Sequence, residues 1–357
     1  MHDKGPSVRH AGKLLSIQYL RGAAALSIVV YHAFTQLHRL GFRGENPDIL
    51  LAGLDIFFVI SGFIMWYTTF SRDIGPREFL QNRIVRIVPL YWAITSLYLF
   101  IFVAHPEWLQ STQFEFWYVA KSYLFIPAQS PAVPQIMWPL VVPGWSLNYE
   151  MFFYGLFAFT LFFAPQTRPG LLSAVLIFFI CLQFFNPPSA SIVGFYSSNI
   201  VLEFAFGVVL GWLYTNSLFT PSPPVAILFV MLGIGVLLMH RFIPDVPRAL
   251  GYGAPALLIV AGAVFYERSG RIRKFKLPKV IGDASYSIYL SHAVVLSALS
   301  QLWARVEVPS AEQIDAWSFF VTSAVVASAI CGVLVYRFLE RPVLQKLSNQ
   351  RMHLRPA

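Results

Sequence analysis

The sequence predicts an all-α, polytopic membrane protein with about ten transmembrane helices and both termini in the cytoplasm. Only 12% of its 357 residues are charged and 57% are hydrophobic, whereas soluble domains carry about 25% charged residues. The mean hydropathy is +0.61. Apolar runs of roughly 20 residues, the length that spans a bilayer as a helix, recur along the whole chain.

Ten such runs account for most of the sequence. They cover residues 15–37, 49–70, 87–104, 145–164, 170–186, 197–215, 223–240, 249–266, 280–304 and 316–338. We expect a cytoplasmic N-terminal segment (1–14), one transmembrane domain (15–338) and a basic cytoplasmic tail (339–357). A cleavable signal peptide is not expected, because the first run is too long for one and carries Arg21 in its body.

The positions of Lys and Arg orient these runs. With the N-terminus inside, the cytoplasmic segments hold 19 of the 26 Lys and Arg residues and the outer segments hold 6, while Arg21 lies within the first run. This asymmetry is the positive-inside pattern. The net charge of +9 therefore reflects membrane orientation, and nucleic-acid binding is the wrong interpretation of it.

Residues 105–144 form one long connection on the outer side. Its first part, FEFWYVAKSYLFI, is typical of an aromatic helix in the membrane interface, and the prolines that follow exclude a regular helix. Such a loop is a lid or binding surface, or else a passive spacer. The sequence shows no internal repeat, which weakens the interpretation as an inverted-repeat transporter. Neither a disulfide framework nor a metal site is expected, because the two cysteines lack the required spacing.

The first run, LLSIQYLRGAAALSIVVYHAFTQL, carries Arg21 and His32 in an otherwise apolar segment. Eleven helical residues turn about 1100°, so both side chains lie on one face, about 16 Å apart along the axis. Ala25 and Ile28 lie between them. An Arg that faced lipid would cost several kcal/mol. We therefore expect this face to contact protein or a cavity, with Arg21 toward the cytoplasm and His32 toward the outer side.

Three acidic residues are predicted at the depth of His32: Asp55, Glu150 and Glu203. Ionisable groups at such depth are costly unless they are paired or hydrated, so by default they mark a site. A carboxylate beside a histidine orients the ring and makes it more basic, as in a general base. We interpret His32, Asp55 and Glu150 as catalytic. Structural pairing is the alternative, above all for Glu203.

The cytoplasmic side carries the opposite charge. Arg83 and Arg86 stand at the start of the third run, close in depth to Arg21. Three guanidinium groups with few acids nearby suit phosphate. Anchoring at the membrane surface is the alternative for Arg83 and Arg86.

The ninth run begins with GDASYSIYLSH, in which Ser285, Tyr289 and His292 share one face through i, i+4 and i+7 spacing. This polar stripe rises from the cytoplasmic side. Packing alone would explain the tyrosines but not Ser285 and His292. The layout suits an anionic, phosphate-bearing compound that enters from the cytoplasm, followed by base-assisted chemistry near the outer side.

At these residues the sequence resembles the acyltransferase family 3 membrane proteins, which O-acylate cell-surface polysaccharides. The family hallmark is an Arg and a His separated by ten residues in the first helix, which Arg21 and His32 match. Further family blocks occur in family order: FFVISGF (57–63), RIVRIVPLYW (83–92), WSLNYEMFFY (145–154), GDASYSIYLSH (282–292) and FLERP (338–342). The resemblance spans nearly the whole chain, and within the family it points to the exopolysaccharide acetyltransferases.

The resemblance implies a multi-pass enzyme of the bacterial inner (plasma) membrane. It would move an acyl group, commonly acetyl, from cytoplasmic acyl-CoA to a sugar hydroxyl of a lipid-linked or extracytoplasmic glycan. The implied partners are acyl-CoA (acetyl-CoA in the commonest case), a glycan or lipid-linked oligosaccharide, and membrane lipids, with no metal. Side chains of the inner layer and of the ninth helix would hold CoA: Arg21, Arg83, Arg86, Ser285 and Tyr289.

In this hypothesis His32 removes the proton from the acceptor hydroxyl, oriented by Asp55 or Glu150; alternatively, His32 is itself the nucleophile and carries the acyl group. The acceptor is expected at side chains near the outer side: Trp145, Ser146, Glu203 and His292. Two other classes stay open. A proton-coupled transporter or flippase would use the same Asp, Glu and His residues as a relay, and a structural subunit would not need His32.

Overall fold

The computed structural model describes residues 13–70, 72, 74–105, 115–240, 242–243, 245–305 and 313–353. This part of the chain is helical, apart from turns, loops and one isolated bridge between Gln129 and Met137. The α-helices, in chain order, are α1 (Leu15–Arg39), α2 (Ala52–Phe70), α3 (Pro76–Ala104), α4 (Phe116–Tyr123), α5 (Trp145–Thr160), α6 (Arg168–Cys181), α7 (Ile192–Tyr196), α8 (Leu202–Thr215), α9 (Pro223–His240), α10 (Ala254–Arg268), α11 (Lys276–Asp283), α12 (Ser285–Trp303), α13 (Gln313–Val335) and α14 (Arg341–His353). The predicted segment 1–14 lies almost wholly outside the described residues.

Within the described residues, six helical stretches are long and apolar enough to cross a membrane. They are Asp48–Phe70, Pro76–Ala104, Arg168–Phe185, Pro223–His240, Ala249–Arg268 and Ala316–Leu347. The chain is therefore an all-helical membrane protein, as predicted. The count of ten spans and the orientation of the termini stay predictions.

The four other apolar runs also form helices, namely α1, α5, α8 and α12. They differ from the six in polarity or length: α1 carries Arg21, α12 starts with its polar stripe, and α5 and α8 have only 16 and 14 residues. A helix that carries polar groups or is short for a bilayer must be sheltered by other helices. These four helices also hold most of the predicted site residues, so the site lies where the bundle is least suited to lipid.

Helix α1 is central in the bundle, where it packs against α2, α10, α11, α12 and α13. Ala25 and Ile28, predicted to lie between Arg21 and His32 on one face, are both buried. This face therefore contacts protein, as the sequence predicted. The surfaces suited to lipid are on other helices. Large apolar side chains are exposed on the outer faces of α3, α6, α9 and α13.

Helices α2 and α8 cross at close range. A Cβ added at Gly62 would collide with the carbonyl oxygen of Phe204, and one added at Gly207 would collide with that of Val59. Small residues permit this approach, which is a common means of packing helices in membranes. The crossing fixes the position of α2, which contributes Ser61 and Asp55 to the polar interior.

We expect Gly62→Ala to lower the melting temperature of the purified protein, because the methyl group would force two backbones apart and overpacking costs about 1–3 kcal/mol. Gly235→Ala in α9 is the matched control, since nothing lies within 4 Å of its added Cβ. Equal melting temperatures for the two variants would contradict the close crossing.

Candidate active site

A cavity of about 120 Å³ lies among α1, α2, α3, α5 and α12. Three guanidinium groups and one carboxylate line it, from Arg21, Arg83, Arg86 and Glu150. The remaining walls are hydroxyl-bearing and apolar side chains. The three arginines assigned from the sequence to one inner layer therefore do meet around one space, although they come from two helices that are about 60 residues apart in the chain.

The three arginines differ in their hydrogen-bond and ion-pair partners. Arg86 donates to Glu340 Oε1 at 2.7 Å, so its charge is neutralised locally. Arg83 donates to Thr68 Oγ1 at 3.2 Å, and its guanidinium lies over the ring of Tyr154. Arg21 makes no hydrogen bond or ion pair to any residue that the structure describes. Arg21 is thus the guanidinium most available to an anionic ligand.

Glu150 lies in this basic cavity. Its Oε1 accepts hydrogen bonds from Ser61 Oγ at 2.9 Å and from Tyr154 Oη at 2.6 Å. The sequence placed Glu150 in an outer layer with His32, so the observed position is a correction. The reason is that the start of α5 is sunk into the protein, where Gly144 is buried against the ring of Tyr91.

Tyr289 forms the end of the cavity. Its hydroxyl donates to the carbonyl oxygen of Pro143 at 2.9 Å and lies 2.8 Å from Ser146 Oγ. Behind it, the Tyr289 ring lies 5.9 Å from that of His292, and the His292 ring stacks on His32 with centroids 5.2 Å apart. The structure therefore brings Ser146, Tyr289, His292 and His32 into one continuous row.

The two histidines have different surroundings. His292 is fully buried, and its Nδ1 lies 2.6 Å from the carbonyl oxygen of Tyr289. Because a carbonyl only accepts, Nδ1 must carry the proton, which leaves a lone pair on Nε2. That Nε2 atom has no hydrogen-bond partner among the described residues. His32 is only partly buried, so it is the member of the pair that a substrate can reach.

Asp55 lies away from this row. Both of its carboxylate oxygens accept from Arg248, at 3.0 and 2.8 Å, and Asp55 is fully buried. Its carboxylate is therefore occupied, and the expectation that it orients His32 is corrected. Glu203, also fully buried, adjoins the same pair, with the charged groups of Asp55 and Arg248 beside it. The structural alternative stated for Glu203 fits this position.

We expect Arg248→Met to lower the melting temperature strongly, because it would leave the buried Asp55 and Glu203 carboxyl groups without a cation. Removing one partner of a buried ion pair costs about 3–5 kcal/mol. Glu203→Gln is the control, since it replaces the neighbouring carboxyl group with an amide of the same shape and keeps the Arg248–Asp55 pair. Thermal unfolding of the purified variants is the measurement, and comparable losses in both would show that the pairing with Asp55 is not what Arg248 contributes.

Two other predicted residues fall outside the cavity lining. Ser285 is fully buried, and its Oγ has no hydrogen-bond partner in the described part of the chain. Trp145 lines a separate cleft near the outer loop. Beside Ser285, Asp283 bonds to Lys279 at 2.7 Å, which raises the pKa of Lys279.

Sequence reasoning missed several functional neighbours. Glu340 ends a π-helical turn, Tyr336–Glu340. Its carboxylate accepts hydrogen bonds from Arg86 and, at 2.5 Å, from Ser287 Oγ. The FLERP block was a signal for it, because an acid in a basic terminal segment suggests a partner. Arg248, Ser61 and Tyr154 gave no comparable local signal. In the described residues no group of three or more His, Cys, Asp or Glu is arranged to hold a metal ion.

A helical membrane bundle with a basic cavity beside a stacked histidine pair has the parts of a group-transfer enzyme. The sequence matches a family model described as an acyltransferase domain, over residues 14–336. The chain belongs to this acyltransferase family, which confirms the assignment made from its motifs. It is a membrane O-acyltransferase.

Similar proteins are known by name. The chain is 32% identical over 318 residues to the "Exopolysaccharide production protein ExoZ" of Rhizobium meliloti (strain 1021), and the match covers 88% of this chain and 96% of that protein. It is 23% identical over 362 residues to the "O-acetyltransferase OatA" of Staphylococcus aureus (strain NCTC 8325 / PS 47), covering 92% of this chain and 56% of that protein. No solved structure matches the chain.

Proposed function

We propose that this enzyme moves an acetyl group from cytoplasmic acetyl-CoA to a sugar hydroxyl of an exopolysaccharide or other cell-surface glycan, in the bacterial inner membrane. The observation that carries the proposal is the row that leads from the cavity at Arg21, past Tyr289, to His292 and His32. The names of the two relatives, one for exopolysaccharide production and one for O-acetyl transfer, support the acceptor class and the acyl group.

The donor half of the proposal rests on charge. CoA is an anion, and Arg21 has no described partner, so a phosphate or the polarised thioester gives it a charge-assisted bond. The cavity of about 120 Å³ is smaller than the ~300–1,000 Å³ of common ligand pockets. We infer that it takes the narrow pantetheine arm, while the nucleotide stays at the cytoplasmic mouth near Arg83.

The chemical half rests on the histidine pair. His32 accepts the proton of the sugar hydroxyl as the hydroxyl oxygen attacks the thioester carbon. The C–O ester bond forms, the C–S bond breaks, and the proton passes to the leaving thiolate to give CoA–SH. The stacked His292 ring, held by its bond to the Tyr289 carbonyl, takes the orienting position that the sequence assigned to Asp55 or Glu150.

Tyr289 has a positioning role in this proposal. It lines the cavity and also packs against His292, so it separates the donor cavity from the histidines. A thioester that comes from the cavity must pass its hydroxyl to reach His32. Ser146, bonded to Tyr289, holds the tyrosine in its observed position.

The test uses purified protein in nanodiscs, acetyl-labelled acetyl-CoA and unacetylated glycan from a strain that lacks the gene. Label that appears in the glycan as an alkali-labile ester supports the proposal. Glycan that stays unlabelled in nanodiscs, while the same protein in sealed vesicles moves it across the membrane, would overturn the proposal in favour of transport without acyl chemistry. Protein heated above its unfolding temperature supplies the background.

A further inference from the structure

A second cavity of about 770 Å³ is lined by Trp145 and Tyr149 of α5, on a different face of this helix from Ser146 and Glu150, which line the arginine cavity. Its walls come from the end of the outer loop, the first turns of α5, the end of α6 and the segment before α8. Every one of these stretches is assigned to the outer side by the distribution of Lys and Arg. A ligand in this cleft therefore approaches from the side opposite to the cytoplasmic donor.

The cleft combines flat aromatic rings with amide and hydroxyl groups. Trp138 and Trp145 line it and are partly exposed. Gln135, Ser189 and Asn199 also line it, and their side chains make no hydrogen bond to the residues that the structure describes. A sugar ring offers an apolar C–H face and a rim of hydroxyls, so aromatic faces and unpaired amides match it on both counts.

The lining carries no formal charge. Among the described residues that form the cleft, none is Asp, Glu, Lys, Arg or His. A site that recognised uronates, phosphates or other charged substituents would need at least one opposite charge, because burying an unpaired ion is costly. The composition therefore favours uncharged sugar units.

The cleft also adjoins the row of side chains formed by Ser146, Tyr289, His292 and His32. Trp145 precedes Ser146 on α5, and Ser146 contacts Tyr289, which packs against His292. The Trp145 ring packs edge-on against Tyr149, and the Tyr149 hydroxyl donates to the carbonyl oxygen of Phe195 at 2.6 Å. This bond and the stacking of the Tyr149 and Phe195 rings hold together two of the cleft walls, α5 and α7.

We propose that this cleft, defined by Trp138, Trp145, Gln135, Ser189 and Asn199, is the binding site for the glycan acceptor, and that it selects uncharged sugar units. The inference rests on the proposed function and adds the place and chemistry of acceptor recognition. Trp138 and Asn199 bind the acceptor and take no part in proton transfer.

The experiment separates acceptor from donor recognition. Initial rates of label transfer are measured against the concentration of unacetylated glycan and, separately, of acetyl-CoA. We expect the double variant Trp138→Ala/Asn199→Ala to raise the KM for glycan about tenfold, through lost stacking and hydrogen bonds, with the KM for acetyl-CoA unchanged within about twofold. Trp117→Ala is the matched control, because Trp117 is 68% exposed on α4 and does not line the cleft.

A second readout keeps this inference separate from the proposed function. Direct binding of the unacetylated glycan to the His32→Ala protein is followed by thermophoresis, with no donor present, at about 0.05 and 0.5 M salt. Binding that weakens in Trp138→Ala/Asn199→Ala and is insensitive to salt supports the cleft, even if no transfer is seen. An unchanged glycan affinity and KM in the double variant would overturn it, and strong weakening by salt would overturn the selection of uncharged units.

Discussion

His32→Ala is expected to lower the rate of acetyl transfer by about 10²–10⁴-fold, the range that general acid–base catalysis contributes. The affinity for acetyl-CoA should change little, because His32 does not line the donor cavity. The measurement is the initial rate with purified protein at saturating acetyl-CoA, together with the equilibrium affinity for CoA. A large fall in rate with retained CoA affinity assigns His32 to the chemistry.

The control for this prediction lies on the same helix. His38 of α1 bonds through Nδ1 to the carbonyl oxygen of Phe42 at 3.0 Å and lies outside the row that leads to His32. His38→Ala should therefore keep a rate within a fewfold of wild type. Equal losses in the two variants would mean that any histidine deletion disturbs α1, and the general-base role would lose its support.

Wild-type and His32→Ala protein also distinguish the two roles open to His32, general base and covalent carrier of the acyl group. If His32 carries the acyl group, wild-type protein mixed with labelled acetyl-CoA and no acceptor will retain label, and His32→Ala will not. If His32 acts only as a base, neither protein will retain label. The two results have different kinetic consequences, since only the covalent route allows CoA release before the glycan binds.

Arg21→Ala is expected to weaken acetyl-CoA binding by about 10- to 150-fold, which corresponds to the 1.5–3 kcal/mol of a hydrogen bond to a charged group. Arg21 is the cavity arginine without a described hydrogen bond or ion pair, so its removal takes a contact from the ligand and breaks no such bond in the fold. Arg21→Lys should fall between wild type and Arg21→Ala, because an ammonium keeps the charge but loses the planar fork.

The matched control is Arg77→Ala, which removes an exposed arginine from the first turn of α3 without touching the cavity lining. The affinity for acetyl-CoA should then stay near that of wild type. Should Arg77→Ala and Arg21→Ala weaken binding equally, attraction by the overall basic surface would explain donor binding, and a specific role for Arg21 would be contradicted.

Local periodicity made part of this site predictable. The shared face of Arg21 and His32 needs only the pitch of one helix, and the buried Ala25 and Ile28 between them agree with it. The contact between His32 of α1 and His292 of α12 was less predictable, because periodicity gave the polar face of each helix but not that the two faces meet. Apolar content and run length also predicted an all-helical membrane protein without any tertiary information.

The contacts that decide the roles of the acids were not predictable in this way. Asp55 is 193 residues from Arg248, and Arg86 is 254 residues from Glu340. Periodicity gives the face on which a residue lies but not the helix that comes to cover that face. Depth was equally misleading for Glu150, because counting residues from a helix end assumes that all helices begin at the same level.

The most direct test of transfer from the cytoplasmic face to His32 uses sealed membrane vesicles of known orientation that contain unacetylated glycan and wild-type enzyme. Labelled acetyl-CoA, which does not cross the bilayer, is added outside the vesicles. We expect label in the glycan of inside-out vesicles, in which the cytoplasmic face and its arginines meet the donor, and almost none in right-side-out vesicles. Equal labelling in sealed right-side-out vesicles would contradict a donor path that begins at the cytoplasmic face and ends at His32.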